Sequence, residues 1–466
     1  MDCLRISGIF LMLACLVFVT ACSKSTQEGA EPDTRPTMTQ FFKSKSEPPG
    51  GDFSSESVAN SILLANRASL SFFKFKVNAA EAHTALMTPW PMFSTLALAD
   101  AASHGDTAEQ LNDGLNQFAL NTSWAQAYQA LLQSQASLLA SSTGFIRQDL
   151  WAQFDSHFEL EFLREIDPLY QATFHATDFK SAEDIHPVVE NLALQTSGEN
   201  YSFYLENYAN TRLFMLNQIR LNGNFDLNSL ELERFEGLFE NEASELIRAP
   251  MLRVKGNLGY YDNNEFSAYR IPLSSNKLSL IFIQPKTAMH DYIANNLDSI
   301  LASLYGSWVS QETQAVLPIL YTESRDSGTW MSDWLGTSLL YSEESADLRN
   351  MDRHGGLYLQ GLRWHHVLAI SSQGIAVSGI SAHAATYSAL NMNIPDYGNP
   401  IGVVVTIGDG ANYNICSDAV PDLTTGILLI ADTETGLLHS ALQLKELKGV
   451  LEGQRTNCIQ VNGPPS

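Results

Sequence analysis

The spacing of hydrophobic positions differs between the two halves of the 466-residue chain. In the first half apolar residues recur at intervals of three and four, which is the period of one helix face. The clearest set, which predicts a helix, is Leu63, Asn66, Leu70, Phe73 and Val77, of which only Asn66 is polar. In the second half short apolar runs dominate, which is typical of strands. Helices first and strands later predict an α+β fold with a large sheet, and we find no internal repeat.

Several segments carry a more specific signal. Asp106 or Thr107 is placed to cap a helix that starts at Ala108, with an acidic residue in its first turn. The runs with the composition of strands are 145–153, 211–221, 278–284, 367–370, 403–407 and 426–430. The segments at 409–410 and 432–435 are predicted to be turns rather than calcium-binding loops.

The stretch from Gly374 to Asn393 is unusual because it contains no Asp, Glu, Lys, Arg or Pro. It follows the strand-like run 367–370 and a polar corner at 371–373. A proline would remove a backbone donor from a sheet, and a charge would have to be desolvated. Nothing in this stretch therefore prevents it from entering the middle of a sheet. A plain linker rich in Ala and Ser is the alternative interpretation.

The first residues have the features of an export signal. Arg5 precedes a short apolar run at 8–19, which is too short to span a bilayer as a permanent helix. Residues 19–22 read Val-Thr-Ala-Cys and match the bacterial lipobox. We therefore expect residues 1–21 to be a lipoprotein signal peptide and Cys22 to be lipidated. An ordinary signal peptide with an incidental cysteine is the alternative.

The residues after Cys22 predict where the protein is anchored. Ser23 stands where an aspartate would retain a lipoprotein at the inner membrane. The outer membrane of the bacterial cell envelope is therefore the preferred location, on its periplasmic or its surface side. Residues 22–56 are polar and contain several prolines and glycines, which predicts a disordered tether between the lipid and the folded domain.

Composition narrows the range of partners. The chain has 51 Asp and Glu against 27 Lys and Arg, a net charge of -24, which argues against nucleic acid, heparin-like polyanions and anionic membrane surfaces. The lipid is then the only expected contact with a membrane. Of the five cysteines, Cys3 and Cys15 leave with the signal peptide. Cys416 and Cys458 remain in an oxidising compartment, and we expect them to form a disulfide.

Motifs of catalysis and of metal binding are missing from the sequence. It contains no nucleophile elbow, P-loop, His-Glu-x-x-His or dinucleotide-binding glycine motif. His365 and His366 are adjacent, so on a strand they point to opposite faces and cannot hold a metal together. We expect a protein that is not an enzyme and that uses no metal or cofactor.

An ordered series of motifs resembles the serpin family. Residues 105–110, Gly-Asp-Thr-Ala-Glu-Gln, are close to the family's Gly-Asn-Thr-Ala-Glu-Gln stretch, and 211–225 are similar to its strand that begins Thr-x-Leu-x-Leu-x-Asn. Thr88-Pro89 resembles a Ser-Pro turn of the family, and 426–438 its C-terminal hairpin. The resemblance covers about 57–449. It implies a serpin-like fold at 57–450, with helices mainly before residue 210 around three β-sheets, one of them large and central, and a C-terminal tail at 451–466.

The resemblance also implies a set of functional positions. An exposed reactive loop would comprise about 374–398, followed by an extension at about 399–424 that is longer than usual in the family. The hinge of the loop would be Ser372, Gly374, Ile375, Ala376 and Val377. The region where the sheet opens would be Thr88, Pro91, Asn217 and Trp364. The chain departs from the family pattern here, since most members have Glu at the position of Ser372, Thr at that of Ile375 and His at that of Trp364.

In an ungapped match the reactive bond joins Ser388 and Ala389, with Tyr387, Leu390 and Met392 as alternatives if the register slips. The resemblance implies a suicide mechanism, in which a protease cleaves this bond and the freed loop enters the sheet.

The chain has no Lys or Arg between Arg363 and Lys445, which predicts targets of the elastase, subtilisin or chymotrypsin type rather than of the trypsin type. The expected partner of this monomer is a serine protease, or alternatively a cysteine protease. A non-inhibitory serpin scaffold and a surface-anchored binding protein are the alternative functions.

Overall fold

The computed structural model describes residues 54–79, 85–118, 124–135, 144–166, 173–179, 210–241, 244–273, 277–286, 290–304, 307–328, 330–387, 404–406, 423–433 and 435–445. Within these ranges no helix is long and apolar enough to cross a membrane.

The described residues contain eight α-helices, and the four longest precede residue 210. They are α1 (Ser55–Ala79), α2 (Trp90–Ala102), α3 (Gly105–Asn116), α4 (Trp124–Ser134), α5 (Leu160–Ile166), α6 (His290–Asn295), α7 (Leu297–Leu304) and α8 (Trp330–Leu335). Every residue of α2 except Asp100 is buried. A helix that is enclosed on all sides belongs to the interior of the fold.

The predicted face of α1 is partly wrong. Leu63 was expected to be buried, but its side chain is 50% exposed. The buried stripe of the helix runs instead through Ile62, Ala65 and Phe72, together with Phe73 and Val77. Apolar residues lie on both sides of this stripe, and packing against α4 determines which of them are covered.

The predicted cap of α3 is also wrong. The helix begins at Gly105 instead of Ala108, and no side chain caps its N-terminus. The Thr107 hydroxyl instead accepts a hydrogen bond of 2.9 Å from the backbone N–H of Asp347. The Thr107 hydroxyl oxygen therefore makes a tertiary hydrogen bond instead of the predicted capping bond.

Sixteen strands lie in the described ranges, and they include every described part of the runs that were predicted to be strands; residues 403 and 407 of one run lie outside those ranges. They are β1 (Ala85–Met87), β2 (Gly144–Gln153), β3 (Thr173–Thr177), β4 (Thr211–Asn224), β5 (Leu230–Glu240), β6 (Leu246–Asp262), β7 (Phe266–Pro272), β8 (Leu278–Pro285), β9 (Val309–Pro318), β10 (Leu320–Gly328), β11 (Leu357–Ser371), β12 (Gly374–Tyr387), β13 (Val404–Thr406), β14 (Leu423–Thr424), β15 (Gly426–Asp432) and β16 (Leu438–Leu444).

The central sheet has seven strands in the order β13-β10-β11-β12-β4-β2-β3. Its middle strand, β12, consists of residues 374–387, which make up most of the stretch without charge or proline. It pairs antiparallel with β11 on one side and with β4 on the other. Residues 374–387 are therefore a central strand rather than a linker.

The remaining strands form one network of nine, so the described residues contain two hydrogen-bonded sheets and not the expected three. The reason is the length of β6, which spans 17 residues. One edge of β6 pairs with β9, while the other pairs first with β5 and then with β7. Two groups of strands are thereby joined into one sheet. The fold is nonetheless α+β, as predicted.

Helices α1, α2 and α4 connect the two sheets. Helix α2 packs beneath β4 and β12, while α1 contacts β1 and β16 of the nine-stranded sheet. Large aromatic residues from these helices, among them Phe72, Phe93 and Tyr128, are fully buried in this layer. The face of β12 and β4 that is turned toward α2 therefore packs directly on the hydrophobic core.

Candidate functional site

Strand β12 enters the central sheet from a tight turn. Ser371 pairs with Gly374, which leaves Ser372 and Gln373 as the exposed turn residues. The Ser371 hydroxyl accepts a hydrogen bond of 3.2 Å from the Gln373 N–H. The Gln373 carbonyl accepts another, of 3.0 Å, from the N–H of Phe225, which follows β4. The turn is thus tied to both strands that flank β12.

The first residues of β12 fit closely against Gly223 of β4. Gly374 has a φ of 151°, and a Cβ there would lie 2.0 Å from the Gly223 carbonyl oxygen, so the position requires glycine. Ile375 pairs with Gly223. A Cβ on Gly223 would lie 3.2 Å from Ile375 Cγ1 and 2.3 Å from Leu273 Cδ1. The side chains of Ile375 and Leu273 therefore occupy the space that a residue with a side chain would need at 223.

Alternate residues of β12 point to opposite faces of the sheet. Ile375 is 4% exposed and Val377 is completely buried, and both belong to the hydrophobic core. Ala376, which lies between them, is only half-buried. Burial of Ile375 and Val377 contributes about 1.5–3 kcal/mol each to the inserted form.

Farther along, β12 crosses the start of α2. Gly379 lies in register between His366 of β11 and Ile219 of β4. A Cβ on Gly379 would lie 2.8 Å from Thr88 Cγ2. The backbone N–H of Thr88 donates a hydrogen bond of 3.2 Å to His366 Nδ1, so this nitrogen carries no proton. The chain that leads into α2 is thereby fastened to β11 directly beneath the inserted strand.

The next inward-facing residue, Ser381, meets two of the predicted sheet-opening residues. It pairs with Asn217 of β4 and with Trp364 of β11. Asn217 Nδ2 donates a hydrogen bond of 3.3 Å to Ser381 Oγ. The Trp364 ring packs edge-on against Phe72 and His366, with centroid separations of 5.6 Å and 5.3 Å. Thr88, Asn217 and Trp364 therefore converge beneath β12.

Pro91, the fourth predicted sheet-opening residue, acts within α2. Its carbonyl oxygen accepts hydrogen bonds of 3.0 Å from both Ser94 Oγ and Thr95 Oγ1. Proline is favourable in the first turn of a helix, where its missing N–H has no partner to lose. Pro91 therefore shapes the start of the helix that lies below β12.

Buried polar groups on the outer face of β12 flank Ile380, which pairs with His365 and Gln218. His365 Nε2 lies 3.1 Å from Glu323 Oε2. Burial, with a smaller effect from His366, lowers the pKa of His365 to about 3, so its neutral ring donates this bond. The Gln218 amide is fully buried and has no hydrogen-bond partner among the described residues.

These contacts hold a strand in place. The adjacent histidines point to opposite faces of the sheet, as predicted, since His366 contacts Thr88 while His365 contacts Glu323. Within the described ranges no cluster of three or more His, Cys, Asp or Glu residues could hold a metal ion.

Sequence reasoning missed two residues of this site, Gly223 and His366, and for Gly379 and Ser381 it predicted the face of the strand but not the contacts. The sequence predicts His366 to be an ordinary core or surface histidine, whereas in the structure its ring accepts the Thr88 N–H. Gly379 and Ser381 are small residues two positions apart, which the alternation of a strand assigns to one face. That spacing was visible in the sequence, but their partners on β4, α2 and β11 were not.

Several predicted positions lie at or beyond the edge of what is described. Tyr387 is the last residue of β12 and pairs with Leu357. The predicted positions outside the described residues are Cys22, Ser388, Ala389, Leu390, Met392, Cys416 and Cys458. The reactive bond, the lipidation and the disulfide therefore stay predictions.

Known proteins resemble this chain along most of its length. An uncharacterised serpin-like protein of Thermococcus kodakarensis is 22% identical over 399 residues, which cover 83% of this chain and 90% of the relative. Plasminogen activator inhibitor 1 of Bos taurus is 20% identical over 330 residues, covering 68% of this chain and 82% of the relative.

Two solved structures share the fold. A structure titled as a cleaved serpin 42Da has a TM-score of 0.65 and 14% identity, and the match covers 84% of this chain and all of that one. The thermophilic serpin tengpin in its latent state has a TM-score of 0.62 and 15% identity, covering 85% of this chain and all of that one. The family model described as serpin (serine protease inhibitor) matches residues 64–400, well over half of the chain. The chain therefore belongs to the serpin family.

Proposed function

We propose that this protein is a suicide inhibitor of serine proteases that uses residues 374–398 as its reactive loop. The observation that carries the proposal is the pairing of β12, which runs antiparallel to both neighbours along its length. Close fits at Gly223, Thr88 and Asn217 accompany this pairing. A segment with these fits is suited to be a strand of this sheet after it has served as an exposed loop.

The proposed reaction forms one ester and breaks one peptide bond. The protease serine Oγ attacks the carbonyl carbon of Ser388, and its proton passes to the departing amine of Ala389. Before water can hydrolyse the ester, 374–387 enters the sheet as β12. A strand of 14 residues moves the attached protease by about 45 Å, to the far end of the sheet. Distortion of the protease there would prevent hydrolysis.

The length of β12 supports a reactive bond at Ser388–Ala389. Its pairing with β11 ends at Tyr387, opposite Leu357, the first residue of β11. A residue that carries a protease has to lie where the sheet ends, because the bulk of the protease cannot enter between strands. Ser388 is the next residue, and Tyr387 is the alternative that the same limit allows.

The residues around this bond favour proteases with apolar or small primary pockets. No Lys or Arg occurs between Arg363 and Lys445, and a trypsin-type pocket is penalised when its buried acid lacks a cationic partner. Elastase-, subtilisin- and chymotrypsin-like enzymes are the proposed targets. Together with the lipobox at Cys22, this specificity favours a protective role in the bacterial cell envelope.

The test is incubation of the mature protein with chymotrypsin, elastase, subtilisin and trypsin in separate reactions. An inhibitor forms, with at least one of the first three proteases, a complex that survives denaturation. Mass spectrometry should show that the released C-terminal fragment begins at Ala389. Cleavage in the loop with no complex would instead indicate a non-inhibitory scaffold. A complex with trypsin at near-stoichiometric yield, cut between 374 and 424, would contradict the proposed specificity.

A further inference from the structure

Strand β13 lies at the outer edge of the central sheet, where it pairs with β10. It belongs to the extension at 399–424, to which the proposed function gives no role. Its register places Val404 opposite Glu323 and Thr406 opposite Tyr321. Without β13, this edge of β10 would have no strand partner among the described residues.

The direction of β13 is informative. Strands β12, β11, β10 and β13 are each antiparallel to the next, so β13 runs opposite to β12. Successive partners place Val404 level with Ser378 and Thr406 level with Ala376. The chain therefore leaves the far end of β12 and returns along the outside of β10, toward the end of the sheet where β12 begins.

Residues 388–403 are long enough to connect the end of β12 with the start of β13. Tyr387 lies nine positions beyond Ser378, or about 30 Å along the sheet, and three strand spacings, about 14 Å, separate β12 from β13. The gap is therefore about 33 Å. Residues 388–403 can span about 55 Å when extended, so an uncut chain can hold β12 and β13 in one sheet.

We infer that the outer edge of β10 is the docking site for residues 404–406 when the uncut loop lies in the sheet, and that this pairing directs the returning chain along that edge. The intact inserted form then has β12 at the centre of the sheet and β13 at its edge. The same pairing covers backbone groups of β10 that would otherwise be a template for a strand of another molecule. This inference does not depend on protease inhibition, because it concerns the uncut chain.

The first test places prolines in β13 of the full-length mature chain. Successive backbone N–H groups of a strand point in opposite directions, so either Val404 or Val405 directs its N–H toward β10. The double variant Val404→Pro with Val405→Pro therefore removes that donor in either case. Ala411→Pro with Asn412→Pro, in the same segment but outside the pairing, is the matched control. Hydrogen exchange of the β10 peptide should show about two fewer protected amides in the first variant and no change in the control. Equal protection in both variants would overturn the docking site.

The second test shortens the connection. Deletion of 391–400 leaves six residues between Tyr387 and Val404, which reach roughly 24 Å and cannot bridge the gap. In the intact variant, protection of 374–387 and of the β10 edge should no longer occur together, and a nick in the loop should restore both. Simultaneous protection in the uncut deletion variant would show that the return path along β10 is wrong.

Discussion

Gly379 of β12 passes so close to Thr88 that a Cβ on the glycine would lie 2.8 Å from the threonine Cγ2. Thr88 cannot easily move away, because its backbone N–H is bonded to His366 and α2 begins two residues later. The inserted strand and the start of α2 are therefore matched in shape at this point.

Gly379→Ala should destabilise the inserted form by about 1–3 kcal/mol, since it overpacks a buried contact. Thr88→Ser removes the methyl group concerned and should recover part of the loss in the double variant. Guanidinium unfolding of loop-nicked protein measures both effects. Ser378→Ala, on the opposite face of β12, is the control and should destabilise the protein less than Gly379→Ala does, because it removes an atom instead of adding one. Additive effects of the two substitutions would refute the shape match.

Arginine substitutions at two adjacent positions test the orientation of β12. Val377 is completely buried in the core, whereas Ala376 is half-buried on the other face. Val377→Arg should abolish the rise in Tm that follows nicking of the loop, because insertion would bury an unpaired charge. Ala376→Arg should retain most of that rise. Similar behaviour of the two variants would mean that the register of the strand is different.

Two buried histidines predict a loss of stability in acid. Burial lowers the pKa of His439 to about 4, against a smaller raising effect of Asp432, and that of His365 to about 3. The unfolded chain takes up these protons near pH 6.5, before the folded chain does. Stability should therefore fall as the pH drops from about 6.5 to 4, by up to about 1.4 kcal/mol per pH unit for each histidine.

His439→Leu isolates one of these contributions. Neither ring nitrogen of His439 has a hydrogen-bond partner among the described residues, so an apolar side chain of similar size should be tolerated at pH 7. Denaturant unfolding between pH 7 and 4 should show a shallower pH dependence for the variant. An unchanged slope would exclude His439 as a source of the acid sensitivity.

The predicted disulfide can be tested without structural information. If Cys416 and Cys458 are paired, reduction should lower the free energy of unfolding by about 2–4 kcal/mol. Cys416→Ser with Cys458→Ser should give the same loss and make the protein insensitive to reductant. Titration of two free thiols in the denatured, unreduced protein would rule out the bond.

Local composition was enough to predict that the stretch containing 374–387 can enter a sheet, because absence of charge and proline is a property of the stretch itself. It could not supply the partners. Gly223 is about 150 residues away from Ile375 in sequence, and such distant pairing leaves no periodic signal. The same limit explains why the cap of α3 was predicted wrongly, because the Thr107 hydroxyl accepts a hydrogen bond from the distant Asp347 N–H. Likewise, one long strand, β6, merges groups of strands that were predicted to be separate sheets.

The two neighbours of β12 are very unequal in sequence distance, which has a consequence for how the protein folds. The turn at Ser372 and Gln373 makes β11 and β12 a local hairpin, which closes within about 1–10 μs. Pairing with β4 requires closure of a far longer loop and is slower. A nascent chain whose hairpin docks on β4 reaches the inserted form at once. In the exposed-loop form that the proposed function requires, β11 pairs with β4 first and the loop stays outside the sheet. The proposed function therefore makes the fraction of molecules with an exposed loop a kinetic outcome of folding.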